Sequence, residues 1–195
     1  ALDQDNVTLT ADDMVISTTI TTTGIVTLVP VTLTTLGPPV TLGRPINLGT
    51  VTLGSLSLTA DELNQIVNAV ELRIGSTTGC NITISNPAVA PGTNTSALTL
   101  LSHSTAGSIT LNVDLLPPSG PVTFNAGTVD LNGSITTVSS LTFTAPTGFT
   151  ANGNISGQGV TFNSNLTLDG NNNPQIIDSG ARTLSFVGVT ITKSN

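Results

Sequence analysis

The chain has 195 residues, 8% of them charged, with a formal net charge of −7, one cysteine, one histidine and four basic side chains, Arg44, Arg73, Arg182 and Lys193. Four scattered cations make no basic patch for phosphates, which excludes nucleic acid and anionic lipid as expected partners. A lone Cys80 excludes an internal disulfide framework and, with a lone His103, a zinc site. The mean hydropathy of +0.31 includes no apolar run approaching the roughly eighteen residues of a spanning helix, so no membrane insertion is expected.

Tyr and Trp are absent, and Thr, Val, Leu, Gly and Asn set the pattern: β-branched residues between turn formers, an all-β signature. From the start, a unit of apolar, then hydroxyl or amide, then apolar recurs: Val7-Thr8-Leu9, Val26-Thr27-Leu28, Val31-Thr32-Leu33, Ile46-Asn47-Leu48 and Val51-Thr52-Leu53. Each reads as a half-buried strand whose apolar pair faces one way and whose polar residue faces the other. Val7, Val26 and Ile46 fall at steps of 19 and 20 residues. Thr59-Ala60-Asp61-Glu62 then fits a capping box, and Leu63, Ile66, Val67 and Val70 follow at helical spacing, predicting one short flanking helix near 59–68.

The strand units resume at Ile82, Leu98 and Ile109, and two registers interleave in the second half. Ile109, Val129 and Phe149 are 20 apart, and Val122, Leu141 and Val160 are 19 apart. Phe124, Phe143 and Phe162 share the second register, which predicts an internal ladder built on Val122, Leu141, Val160 and the three rings. The step lengthens to 24 from Val160 to Leu184 and to 23 from Leu166 to Val189, placing an insertion loop near 169–174. A chain that returns to one angular position every 19 or 20 residues coils into a solenoid. The prediction is a single parallel β-solenoid over 1–195, with nine or ten coils and a length of about 45 Å at a strand spacing of about 4.8 Å.

Chemistry is sparse. His103 lies in a polar turn without a nucleophile motif, and Asp12 and Asp13, the closest carboxylate pair, read as a turn. Asp169, Asn171 and Asn173 offer one carboxylate without the glycine and terminal Glu of a calcium loop. Asp130 stands alone at an outward position, and no Gly-rich phosphate loop occurs. The expectation is no catalytic residue, no metal and no cofactor. Six N-x-[ST] sequons, at Asn6, Asn81, Asn94, Asn132, Asn154 and Asn165, are what an Asn- and Thr-rich chain supplies by chance.

Val7-Thr8-Leu9-Thr10-Ala11-Asp12-Asp13, Leu56-Ser57-Leu58-Thr59-Ala60-Asp61-Glu62-Leu63, and Leu72-Arg73-Ile74-Gly75 followed by Asn81-Ile82-Thr83-Ile84-Ser85 resemble filamentous haemagglutinin-type repeats of large bacterial two-partner-secretion exoproteins. The resemblance covers most of the chain and implies a right-handed β-helix, export and a role in adhesion or matrix. The family's Asn-Pro-Asn-Leu secretion motif is not matched, the nearest stretch being Asn86-Pro87-Ala88-Val89. The strand pattern persists to Val189-Thr190-Ile191 without a polar cap, so end-to-end self-association, or continuation in a longer shaft, is the expected partnership. The functional expectation is a non-enzymatic extracellular shaft of a bacterial surface fibre. One alternative is an adhesin recognising a surface or matrix ligand through Pro87–Thr95 or Asp169–Pro174. Another is ice binding through outward Thr columns such as Thr123, Thr142 and Thr161.

Overall fold

The computed structural model describes residues 5–31, 43–79, 81–86, 95–115, 119–169, 176–188 and 190–194. In chain order they form β1 (Val7–Thr10), β2 (Ile20–Thr21), β3 (Ile25–Val29), β4 (Ile46–Leu48), β5 (Leu56–Leu58), α1 (Ala60–Asn64), β6 (Ile66–Val67), β7 (Glu71–Gly75) and β8 (Ile82–Ile84). Then follow β9 (Leu98–Leu101), β10 (Ser108–Leu111), β11 (Val122–Asn125), β12 (Thr128–Leu131), β13 (Ile135–Thr136), β14 (Leu141–Thr144), β15 (Gly148–Ala151) and β16 (Ile155–Ser156). The last are β17 (Val160–Phe162), β18 (Leu166–Asp169), β19 (Ile177–Asp178), β20 (Leu184–Phe186) and β21 (Ile191–Ser194).

The strands stack in parallel and in register. One eight-stranded sheet runs β1-β3-β7-β9-β11-β14-β17-β20, and a second runs β5-β4-β8-β10-β12-β15-β18-β21. A third side is closed by the short ladders β13-β16-β19 and β2-β6. A chain that visits first sheet, second sheet and third side before returning to the first is a parallel β-solenoid of triangular section. Val122, Leu141 and Val160 lie one above another, as do Phe124, Phe143 and Phe162. Eight rungs at about 4.8 Å give a length of roughly 34 Å, shorter than the sequence spacing predicts, because the early coils take more chain than 20 residues.

The greatest excess falls between β3 and β7. Val26 pairs with Leu72, not with Ile46, which belongs to the second sheet and pairs with Leu56 and Ile82. The intervening chain doubles back: after β4 it turns through Gly49 and Gly54, both at positive φ (115° and 81°), and lays β5 parallel to β4 on its outer side. Ser57 holds this turn, its Oγ accepting the Thr52 N–H at 2.8 Å. Val51-Thr52-Leu53, which reads as a strand, is therefore part of the turn, with Val51 and Leu53 in solvent.

The helix is also shorter than predicted. Thr59 caps it with a full capping box, its side chain accepting the Glu62 N–H while Glu62 accepts the Thr59 N–H, but α1 stops at Asn64. Ile66 and Val67 form β6 against β2, and Val70 is half in solvent. The strand pairing wins over helical spacing because Asn68, at φ 63°, reverses the chain into β7. Leu63 is fully buried in the common core rather than presenting a stripe on the flank.

The interior is one column of Val, Leu, Ile and Phe, nearly all of it fully buried. The ring ladder has a fourth rung: Phe124, Phe143, Phe162 and Phe186 stack at centroid spacings of 5.0, 5.2 and 5.4 Å. Phe149, from the second sheet, tilts against Phe143 and meets Phe162 edge-on. At the N-terminal end the segment between β1 and β2 turns Met14 and Ile16 into the core, beside a pocket of about 390 Å3 that they line with Leu9 and Ile20.

Polar side chains at the corners tie rung to rung. The Asn152 amide donates to Asn132, which donates to Asn112, at 2.8 and 3.1 Å. Asn6, Asn81, Asn154 and Asn165 each accept the backbone N–H of a residue on the next coil, at 2.8 to 3.0 Å. Five of the six sequon asparagines are thus corner clamps, and Asn94 lies outside the described residues.

Two stability predictions follow from the core. Phe143→Ala removes a ring packed against three others and should cost roughly 3–5 kcal/mol in urea unfolding. Ser164 stands where the neighbouring rungs have the buried Ala126 and Ala145, and its hydroxyl is buried without a partner among the described residues. Ser164→Ala should therefore raise stability by about 1 kcal/mol.

Candidate functional site

Because the inward columns are filled by the core, chemistry can reside only at outward positions, corners and ends. On the first sheet, strand alternation aligns Thr99, Thr123, Thr142, Thr161 and Ser185 on five successive rungs. Arg73 interrupts the rank between Thr27 and Thr99, pairing with Glu71 on its own strand at 2.9 Å. On the second sheet Asp130 lies between Thr110 and Thr150, an isolated half-exposed carboxylate. The two faces are hydroxyl-rich ranks at about 4.8 Å per step, broken by Arg73 on the first sheet and by Asn47 and Asp130 on the second.

A more individual site lies where the third side turns into the first sheet. Ser139, Gln158 and Arg182 each stand two residues ahead of a first-sheet strand, β14, β17 and β20, on successive rungs. Ser140, Gly159 and Thr183 follow them one residue nearer the strand, their carbonyls accepting the N–H of Val122, Leu141 and Val160. Ser140, Gln158, Gly159, Thr161, Arg182 and Thr183 line a groove of about 370 Å3. A smaller recess of about 170 Å3 adjoins it beside Ser139 and the exposed Val138. Gly159 sits at φ 96°, and the aliphatic stem of Arg182 lies against it. Gln158 rests over Gly180. The Arg182 guanidinium has no hydrogen bond or ion pair among the described residues, unlike those of Arg44 and Arg73.

The remaining candidates have structural tasks. The His103 Nδ1 accepts the N–H groups of Thr105 and Ala106, both at 3.2 Å, fixing the turn before β10. Asp12, in a bend with Asp13, faces Arg44 at 3.8 Å. Among the described residues no three His, Cys, Asp or Glu side chains cluster as a metal site, and no helix is long and apolar enough to cross a membrane. Cys80, 87–94 of the first candidate loop and 170–174 of the second lie outside the described residues. The Ser139, Gln158, Arg182 line escaped the sequence reading because none of the three belongs to a strand unit. Counting two residues back from Leu141, Val160 and Leu184 would have aligned them.

No family model, curated protein or solved structure matches the chain. The fold and its surfaces define it as a parallel β-solenoid.

Replacing His103 by Ala removes the acceptor for two backbone N–H groups. It should lower the unfolding free energy by about 1 kcal/mol, read as a shift of the urea midpoint with the β circular-dichroism signal unchanged.

Proposed function

We propose that the protein is a non-enzymatic structural shaft, a filament-building segment of an extracellular bacterial surface fibre, whose copies stack end to end. The observation that carries this reading is the last described rung. Leu184 and Phe186 are each 38% exposed, whereas their equivalents Val160 and Phe162 one rung below are fully buried. Val187 and Ile191 beside them are more than half exposed. The ring face of Phe186, the apolar top of the core and the edges of β20 and β21 form a template for another parallel rung, which either a second copy or the continuation of a longer shaft would supply. A heterologous end-to-end contact of this kind does not close and so builds a thread. Export and surface location rest on the similarity of residues 7–13, 56–63, 72–75 and 81–85 to haemagglutinin-type repeats.

The test is assembly of the purified chain. Sedimentation should show mass growing with concentration, and negative-stain images should show threads about as wide as one solenoid. Phe186→Asp gives up the ring stack on Phe162 and so should lower the urea midpoint, but with the β circular-dichroism signal retained it should abolish growth. A wild-type chain that stays monomeric at the highest soluble concentration rejects the stacking.

A second reading draws on the five-rung rank Thr99, Thr123, Thr142, Thr161 and Ser185. An ordered hydroxyl face of this kind can hold water in a lattice and bind ice. Thermal hysteresis in the wild type, lost in Thr142→Lys, would favour it, and its absence in the wild type would remove it.

A further inference from the structure

We propose that the corner groove beside Arg182 is a binding site for a carboxylate-bearing saccharide, with the acid on Arg182 and ring hydroxyls along Gln158 and Ser139. The groove combines two properties. It holds a guanidinium with no partner among the described residues, in a protein whose net charge is −7. A planar guanidinium suits a carboxylate, which it can engage with two parallel hydrogen bonds. Its other groups are neutral donors and acceptors, the Gln158 amide and the hydroxyls of Ser140, Thr161 and Thr183, with the Ser139 hydroxyl in the adjoining recess. Such groups satisfy sugar hydroxyls in both directions, whereas phosphate would call for further cations.

Spacing and order support the same ligand. Ser139, Gln158 and Arg182 occupy successive rungs, so the line spans two steps, about 10 Å, close to the length of two pyranose rings. Gly159, one of the lining residues, holds a positive φ of 96° that other residues rarely adopt. The aliphatic stem of Arg182 lies along Gly159 and the Gln158 amide lies over Gly180, so the Gln158 head is already placed and loses less rotamer freedom on binding. Exposed Val138, at the Ser139 end, offers an apolar contact for the C–H face of a sugar ring. The nearest acid in the sequence, Asp178, is held back by accepting the Gly180 N–H at 2.8 Å. Arg182 and Thr183 lead into β20, so the groove borders the proposed end-to-end contact, and the binding test is run with assembly blocked.

The test is titration of the isotope-labelled chain with tri-galacturonate, followed through backbone amide shifts. Shifts should concentrate at Ser139, Ser140, Gln158, Gly159, Arg182 and Thr183, with dissociation constants in the millimolar range. Arg182→Ala, at an exposed position that the fold does not need, should weaken binding at least about tenfold, and Arg182→Lys should recover part of it. Neutral galactotriose should bind at least about tenfold more weakly. The proposal is overturned if tri-galacturonate leaves these amides unmoved, if Arg182→Ala binds as the wild type does, or if tri-glutamate binds as tightly, which would make the groove a general carboxylate site. Running the titration on Phe186→Asp separates this result from assembly.

Discussion

Every rung must repeat the in-and-out alternation of the rung beneath it. In a parallel, in-register stack each side chain has its counterpart one step of about 4.8 Å above and below, and a slip of one residue would send Thr142 into the core and Leu141 into water. The column Val26, Leu72, Leu98, Val122, Leu141, Val160 is apolar at every level for this reason, and the outward column is hydroxyl-rich at nearly every level. Parallel sheets ordinarily need long crossovers. Here the third side supplies the return path in strands of only two residues, such as β13 and β16.

Short coils leave little chain for turns, so the corners are built from side chains that do backbone work. The corner asparagines accept an N–H from the next coil, and each of Asn6, Asn81, Asn154 and Asn165 is followed at once by an apolar residue and a hydroxyl that begin the strand. That succession is also what a glycosylation sequon requires, so a motif that looks like a modification signal arises from the geometry of entering a rung. The glycines answer a second demand, close approach. A Cβ on Gly75, which sits at φ 90°, would run into the Leu101 carbonyl, and one on Gly120 into that of Ser96.

The regular half of the molecule was legible because its spacing is set by geometry alone: Val122, Leu141 and Val160, and Ile109, Val129 and Phe149, repeat without insertions. The irregular half was not, for a physical reason. An apolar-hydroxyl-apolar triplet has the same local character whether it forms a rung or a turn, so Val51-Thr52-Leu53 counted as a strand and Ile46 entered the wrong column. What decides between them is nonlocal: the doubling back that sets β5 outside β4 places Leu56, not Val51, in the core. The helix went the same way, its capping box read correctly and its end misplaced, because pairing of Ile66 and Val67 with β2 cannot be seen from the spacing of Leu63, Ile66, Val67 and Val70. The Arg182 groove depends on residues outside the repeating unit and on a glycine conformation, neither of which periodicity reports.

The division between inward and outward residues also separates what the fold requires from what it leaves free. Inward positions are constrained from both sides by neighbouring rungs, and the four-ring ladder through Phe186 shows how little latitude they have. Outward and corner positions meet only solvent and their own column, so a serine, a glutamine and an arginine can occupy equivalent places ahead of β14, β17 and β20 without disturbing a single ladder bond. A solenoid can therefore acquire a recognition site by changing three corner residues on adjacent rungs while its length and stability stay as they were. The apolar end of the stack is the opposite case. There the inward residues Leu184 and Phe186 themselves meet water, and the burial that stabilises every inner rung is incomplete.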